Sequence, residues 1–145
     1  MAIAEEGLKE NWGANIGKTY LKCYGDDVRT RAIAKAAAGS AAGCGIAYLK
    51  GGNLDVINHT LVNSVVITSG MICDGAKPSC AGKIATSVQA GIFGYDMYMN
   101  GQQFYYGDGI VSKGVEETIR NVSKLGKDGM RETDREIVGM MLKKI

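Results

Sequence analysis

The residues of this chain best suited to chemistry are its four cysteines, Cys23, Cys44, Cys73 and Cys80. Cys73 and Cys80 stand seven positions apart, and the Gly and Pro between them predict a turn that could aim both thiols at one point. Cys80 would then lie in the first turn of a helix, where the helix dipole and the backbone N–H groups favour a thiolate. Such a turn is compatible with a metal site or a reactive thiol, but the spacing alone is a weak signal, because zinc ribbons and common ferredoxin motifs space their cysteines by two to four residues. Plain buried thiols are the alternative.

Other chemistries find less support in the sequence. Three cysteines and the single His59 would permit a Cys₃His zinc site, but His59 falls in the middle of a predicted helix, where a satisfied or surface histidine is more typical. Cys23 has no partner at a ligand spacing and is interpreted as a thiol at a helix end. The glycine-rich pieces do not follow a predicted strand, so no phosphate-binding or dinucleotide-binding loop is indicated.

Length and charge limit the class of protein. The 145 residues suit one domain covering 1–145, and 17 basic against 15 acidic residues give no electrostatic field for nucleic acid or an anionic membrane. The opening residues lack the basic and apolar regions of a signal peptide, and no apolar run is long enough to span a bilayer. These features predict a cytoplasmic chain with neither nucleic-acid nor membrane partners.

Helices are the elements that must position the cysteines. Apolar residues up to Leu21 follow one helical face, and the turn at 25–27 precedes a second helix running through the alanine-rich stretch 32–38. Asn53 is a predicted N-cap for the clearest amphipathic stretch, Leu54 to Val66. Only 5 charged residues fall between 51 and 100, so this third should be the most buried.

The second half of the chain continues the helical pattern. Pro78 opens a helix that ends near Gly101, because proline is favoured in a first turn. The aromatic and glycine-rich segment 102–111 predicts an extended piece or hairpin. A helix from Val115 stops at Gly126, and a last helix begins near residue 132, with Met140 and Met141 expected in the core. The predicted fold is an all-α compact helical bundle with a short irregular or hairpin-like segment near 102–111.

Two segments carry a resemblance to a known family. Residues 70–81 (GMICDGAKPSCA) and 42–53 (AGCGIAYLKGGN) resemble the C-terminal part of the iron–sulfur L-serine dehydratase α-chain and L-cysteine desulfidase family. The tail at 119–121 and 126–134 is similar to the family's closing helices, and 7–11 and 15–19 resemble a segment that lies earlier in longer members. The resemblance therefore covers nearly the whole chain.

The resemblance implies an oxygen-labile 4Fe–4S cluster held by Cys44, Cys73 and Cys80, with one iron left open. An open iron would act as a Lewis acid on L-serine or L-cysteine, while a base that cannot be assigned removes the α-proton and pyruvate and ammonia are released. Cys23 matches no family motif and is excluded from the ligand set.

The chain also departs from the family pattern. Longer members carry a large segment with a substrate-gripping loop between the alanine-rich helix and the Gly-Cys-Gly motif, where residues 39–43 alone form the connection here, and an N-terminal region absent here. Two hypotheses follow: an iron–sulfur ammonia-lyase, or a non-catalytic helical domain that is a scaffold or a cluster-binding subunit needing a partner chain. A homo-oligomer and a second subunit are both compatible with the resemblance.

Overall fold

A computed structural model describes residues 28–72 and 78–143, with side chains from residue 37 onwards. The described residues form five α-helices and one π-helical turn, and they contain no strand. The elements are α1 (Val28–Leu49), α2 (Leu54–Thr68), α3 (Pro78–Met99), α4 (Val115–Lys124), the π-helical turn (Leu125–Gly129) and α5 (Arg131–Leu142). The predicted all-α fold is confirmed. The predicted helix up to Leu21, the turn at 25–27 and Cys23 lie outside the described residues.

Helix α1 packs against α3 with the two backbones in contact. A Cβ atom added at Gly39 would lie 2.3 Å from the Cβ atom of Ser87, and one added at Gly43 would lie 2.6 Å from the Cα atom of Gly91. Two small residues four positions apart on each helix therefore allow the close approach. Residue numbers rise together on both helices at this contact, so α1 and α3 run parallel.

Helix α2 runs antiparallel to both of its neighbours. Its predicted N-cap is confirmed, since the Asn53 Oδ1 atom accepts the Val56 N–H group at 3.1 Å. The Oγ atoms of Ser40 and Ser64 lie 2.8 Å apart, and Asn63 Nδ2 donates to the Gly94 carbonyl at 3.0 Å. The three helices α1, α2 and α3 thus share one interior.

Small and hydroxyl-bearing side chains fill much of that interior. Several hydroxyls donate to a carbonyl four residues earlier in their own helix, as Thr60 does to Val56 at 2.7 Å and Thr68 to Ser64 at 2.9 Å. No buried side-chain nitrogen or oxygen of the described residues lacks a hydrogen-bond partner. The fully buried polar residues of the three helices are Ser40, Thr60, Asn63, Ser64, Thr68 and Ser87.

The segment 102–111 is irregular and contains no strand, so the predicted irregular form is observed instead of a hairpin. The Phe104 N–H group donates to Asn63 Oδ1 at 3.2 Å, which ties the segment to α2. Gly107 and Gly109 have φ values of 96° and 60°, a left-handed backbone that glycine adopts without steric cost.

The ends of the C-terminal helices lie close to the predicted ones. Helix α4 ends at Lys124, two positions before Gly126, and α5 begins at Arg131, but a π-helical turn that was not predicted connects them. The placement of Met140 and Met141 in the core was wrong, because both are exposed and α5 buries no residue. Its main contact among the described elements is the π-helical turn. None of the helices in the described ranges is both long and apolar enough to cross a membrane.

Candidate functional site

The two described cysteines lie on different helices. Cys80 lies in the first turn of α3 and is 7% exposed, and Pro78 begins that helix as predicted. Cys44 lies near the C-terminal end of α1 and is half-buried. Cys73 lies outside the described residues, in the connection between α2 and α3.

The surroundings of Cys44 favour a protonated thiol. Its Sγ atom donates to the Ile57 carbonyl of α2 at 3.7 Å. Burial raises the pKa of the Cys44 thiol from an ordinary value of 9.0 to about 11, because desolvation disfavours the charged thiolate. Without a bound metal ion, this thiol is therefore expected in its protonated form.

The register of the parallel helices separates the two cysteines. Because Gly39 packs at Ser87 and Gly43 at Gly91, Cys44 is level with position 92 of α3. Cys80 lies twelve positions earlier, which is about 18 Å along the helix axis at 1.5 Å per residue. The structure therefore does not bring Cys44 and Cys80 together, and they belong to opposite ends of the three-helix bundle.

Cys73 belongs to the connection between α2, which ends at Thr68, and α3, which begins at Pro78. The start of that connection is described, and there Ser87 Oγ lies 4.0 Å from the Met71 sulfur. Ser87 follows Cys80 by seven positions and lies five positions before the level of Cys44, so this contact does not assign Cys73 to either cysteine. The pairing of Cys73 with Cys80 stays a prediction from the sequence motif.

His59 lies far from Cys80. Its ring stacks on that of Tyr98 with a centroid separation of 4.5 Å and an interplanar angle of 8°. Tyr98 lies eighteen positions after Cys80 on α3, about 27 Å along the axis. A zinc site combining His59 with Cys80 therefore has no geometric basis, and the described residues contain no group of three or more His, Cys, Asp or Glu that could hold a metal ion.

A single cluster held by Cys44, Cys73 and Cys80 does not fit this arrangement. Such a cluster needs three thiolates around one centre, whereas Cys44 is a hydrogen-bonded thiol at the other end of the bundle from Cys80. Sequence motifs could not show this separation, because it depends on the parallel register that Gly43 and Gly91 impose.

The role of Asn63 was not predicted from the sequence: it joins α2 to α3 and to the segment 102–111. Its side chain is fully buried, donates to the Gly94 carbonyl and accepts the Phe104 N–H group. The available signal was that Asn63 and Ser64 interrupt the apolar residues of 61–67 in α2, since a buried polar side chain needs partners.

Comparisons with known proteins place the chain in a family. The family model described as serine dehydratase alpha chain matches residues 3–139. A UPF0597 protein of Desulfitobacterium hafniense is 42% identical over 97% of this chain and 50% of its own length. A UPF0597 protein of Finegoldia magna is 52% identical over 74% of this chain and 26% of its own length, and one of Lachnoclostridium phytofermentans is 34% identical over 97% and 51%. No solved structure matches.

These alignments also show what the chain lacks. It spans about half the length of the Desulfitobacterium relative, and that alignment covers 215 positions although the chain has only 145 residues. At least 70 aligned positions of the relative therefore have no counterpart here. With the family model matching most of its length, the chain belongs to the serine dehydratase α-chain family.

Proposed function

We propose that this chain is a helical domain of the serine dehydratase α-chain family that is not a complete lyase by itself. It would contribute Cys73 and Cys80 to a cluster-binding site whose remaining groups come from another polypeptide. The observation that carries this proposal is the separation of Cys44 from Cys80 by about 18 Å along parallel helices.

The alignment with longer relatives supports the same conclusion. At least 70 positions of the Desulfitobacterium relative have no counterpart here. The resemblance implies that the segment missing from this chain carries a substrate-gripping loop. A lyase must hold its substrate as well as polarise it, so loss of such a loop would remove binding even where a metal site survived.

An autonomous iron–sulfur lyase is the competing function. It would eliminate water from L-serine or hydrogen sulfide from L-cysteine, giving pyruvate and ammonia. The family match over residues 3–139 and the motif around Cys73 and Cys80 favour it. The distance between Cys44 and Cys80 along the parallel helices opposes it.

Anaerobic reconstitution tests the proposal directly. The purified chain is incubated with iron and sulfide, bound iron and sulfide are measured, and pyruvate release from L-serine and L-cysteine is assayed. The Desulfitobacterium relative, treated identically, is the full-length comparison. We expect the chain to bind less iron per molecule than the relative and to release no pyruvate. A complete cluster together with pyruvate release would overturn the proposal.

Two cysteine variants locate any iron that does bind. Cys80→Ala should lower the bound iron, whereas Cys44→Ala should leave it unchanged, because Cys44 lies at the other end of the bundle. Circular dichroism of both variants checks that each remains helical. Equal loss of iron in the two variants would contradict the separation of the sites.

A further inference from the structure

Helix α3 has a second apolar face, beyond the one it buries against α1 and α2. This face follows the three-and-four spacing of a helix seam and consists of Ala81, Ala85, Val88, Ile92 and Met99. Met99 is 57% exposed and Ile92 is 38% exposed, and the two alanines are exposed as well. A helix that is apolar on two sides normally has a partner on each of them.

Apolar residues of helix α1 lie beside this face of α3 and enlarge it. Gly43 faces α3 and Ser40 faces α2, so the helical period of 100° per residue places Ala42 and Leu49 on the side of α1 that points away from α2. On α3, Gly91 faces α1 and Gly94 faces α2, which puts Ile92 on the same side of the pair.

We name this surface the α1–α3 face. Its members are Ala38, Ala42, Ile46 and Leu49 of α1 with Ala81, Ala85, Val88, Ile92 and Met99 of α3. None of them is charged, and Leu49 is 77% exposed. Contiguous apolar surface of this kind on a soluble protein marks an interaction site.

We propose that the α1–α3 face is a dimerisation surface that binds a second copy of this chain in an antiparallel, two-fold arrangement. The size of the face suits a weakly associating dimer. Its members span 12 residues of α1 and 19 residues of α3, about 18 Å and 28 Å of helix, so at a width of about 10 Å the footprint is roughly 450 Å². This is smaller than the roughly 800 Å² per partner of a standard interface, so the dimer should dissociate readily on dilution.

The seam on α3 is also self-complementary. In an antiparallel pair of α3 helices whose two-fold axis passes level with residue 90, Ala81 lies opposite the second copy's Met99, and Val88 lies opposite its Ile92. Each large side chain thus meets a smaller one, as two-fold packing of one surface on itself requires. The charged residues of α3, Lys83 and Asp96, are outside the seam, so no like charges oppose the pairing.

Light scattering with size-exclusion chromatography measures the mass of the chain over a range of concentrations. We expect a species of about twice 15.4 kDa that dissociates on dilution. Ile92→Glu should weaken dimerisation by about 100-fold or more, because two carboxylates per dimer would be buried without partners. Phe93→Glu is the matched control: Phe93 is 59% exposed but lies on another side of α3, so that variant should dimerise like the wild type.

Ala85→Glu provides a second test that spares the monomer. Ala85 is exposed and glutamate is a good helix former, so the change should leave the monomer folded while it weakens the dimer. A wild-type chain that stays at 15.4 kDa at every concentration would overturn the proposal. Equal effects of Ile92→Glu and Phe93→Glu would overturn it too. The test is independent of the proposed function, since it involves neither iron nor substrate.

Discussion

The contact between Gly43 and Gly91 gives the sharpest test of the helix arrangement. In Gly43→Ala the new Cβ would lie 2.6 Å from the Cα atom and 2.7 Å from the carbonyl carbon and oxygen of Gly91. Carbon atoms pack best at about 3.5–4 Å, so α1 and α3 would have to separate by about 1 Å. Overpacking costs about 1–3 kcal/mol, and we expect the upper end because backbone atoms cannot rotate away.

Alanine also favours a helix over glycine, by about 1 kcal/mol. The net result for Gly43→Ala is a free energy of unfolding lower by about 2 kcal/mol. Gly45→Ala is the matched control, two positions along the same helix, where a new Cβ would meet nothing within 4 Å. That variant should gain about 1 kcal/mol from helix propensity alone.

Urea denaturation followed by circular dichroism measures both variants at the same protein concentration. The expected difference between them is about 3 kcal/mol, most of it from the helix contact. If Gly43→Ala and Gly45→Ala unfold within about 0.5 kcal/mol of each other, the two backbones are not in contact. The parallel register that separates Cys44 from Cys80 would then lose its basis.

Three further changes test other parts of the bundle. Asn63→Ala should lower the free energy of unfolding by about 2–4 kcal/mol, because the bonds to the Gly94 carbonyl and the Phe104 N–H group are both lost; urea denaturation measures this, and an unchanged midpoint would contradict it. The raised pKa of the Cys44 thiol, about 11 against 9.0, means that the unfolded chain loses this proton first as pH rises. Its contribution to stability should therefore be complete below pH 9.0 and be lost as pH rises towards about 11, so the stability difference between wild type and Cys44→Ala should change across that window and remain flat below it. Asn53→Ala should cost about 1 kcal/mol through loss of the cap on α2, and Asn53→Asp should restore most of it in thermal unfolding.

Local signals in the sequence predicted the ends of the helices well. Asn53 begins α2 as its N-cap, Pro78 begins α3, and the turn near Gly101 follows the end of α3. These signals work because a cap or a missing N–H group acts within one turn of the backbone. Helix α4 likewise ends two positions before Gly126, but the π-helical turn that follows it was not predicted.

The grouping of the cysteines could not be predicted in the same way. The motifs around Cys44 and Cys80 describe short segments, whereas the distance between them depends on how α1 pairs with α3. That pairing follows from small residues on both helices. In a sequence pattern, a glycine only lowers the predicted helix propensity and does not show which helix packs against it. The exposed Met140 was misplaced for a related reason, since an apolar residue at helical spacing does not reveal whether a partner lies beside it.

The hydroxyl-rich interior has a thermodynamic consequence. Unfolding would expose many buried polar groups, such as Thr60 and Ser64, alongside rather little apolar side-chain area. Exposure of apolar surface raises the heat capacity and exposure of polar surface lowers it, so the heat-capacity change should fall below the usual ~12–15 cal/mol/K per residue. The stability of this bundle should therefore vary only gently with temperature, with a broad maximum and little tendency to unfold in the cold.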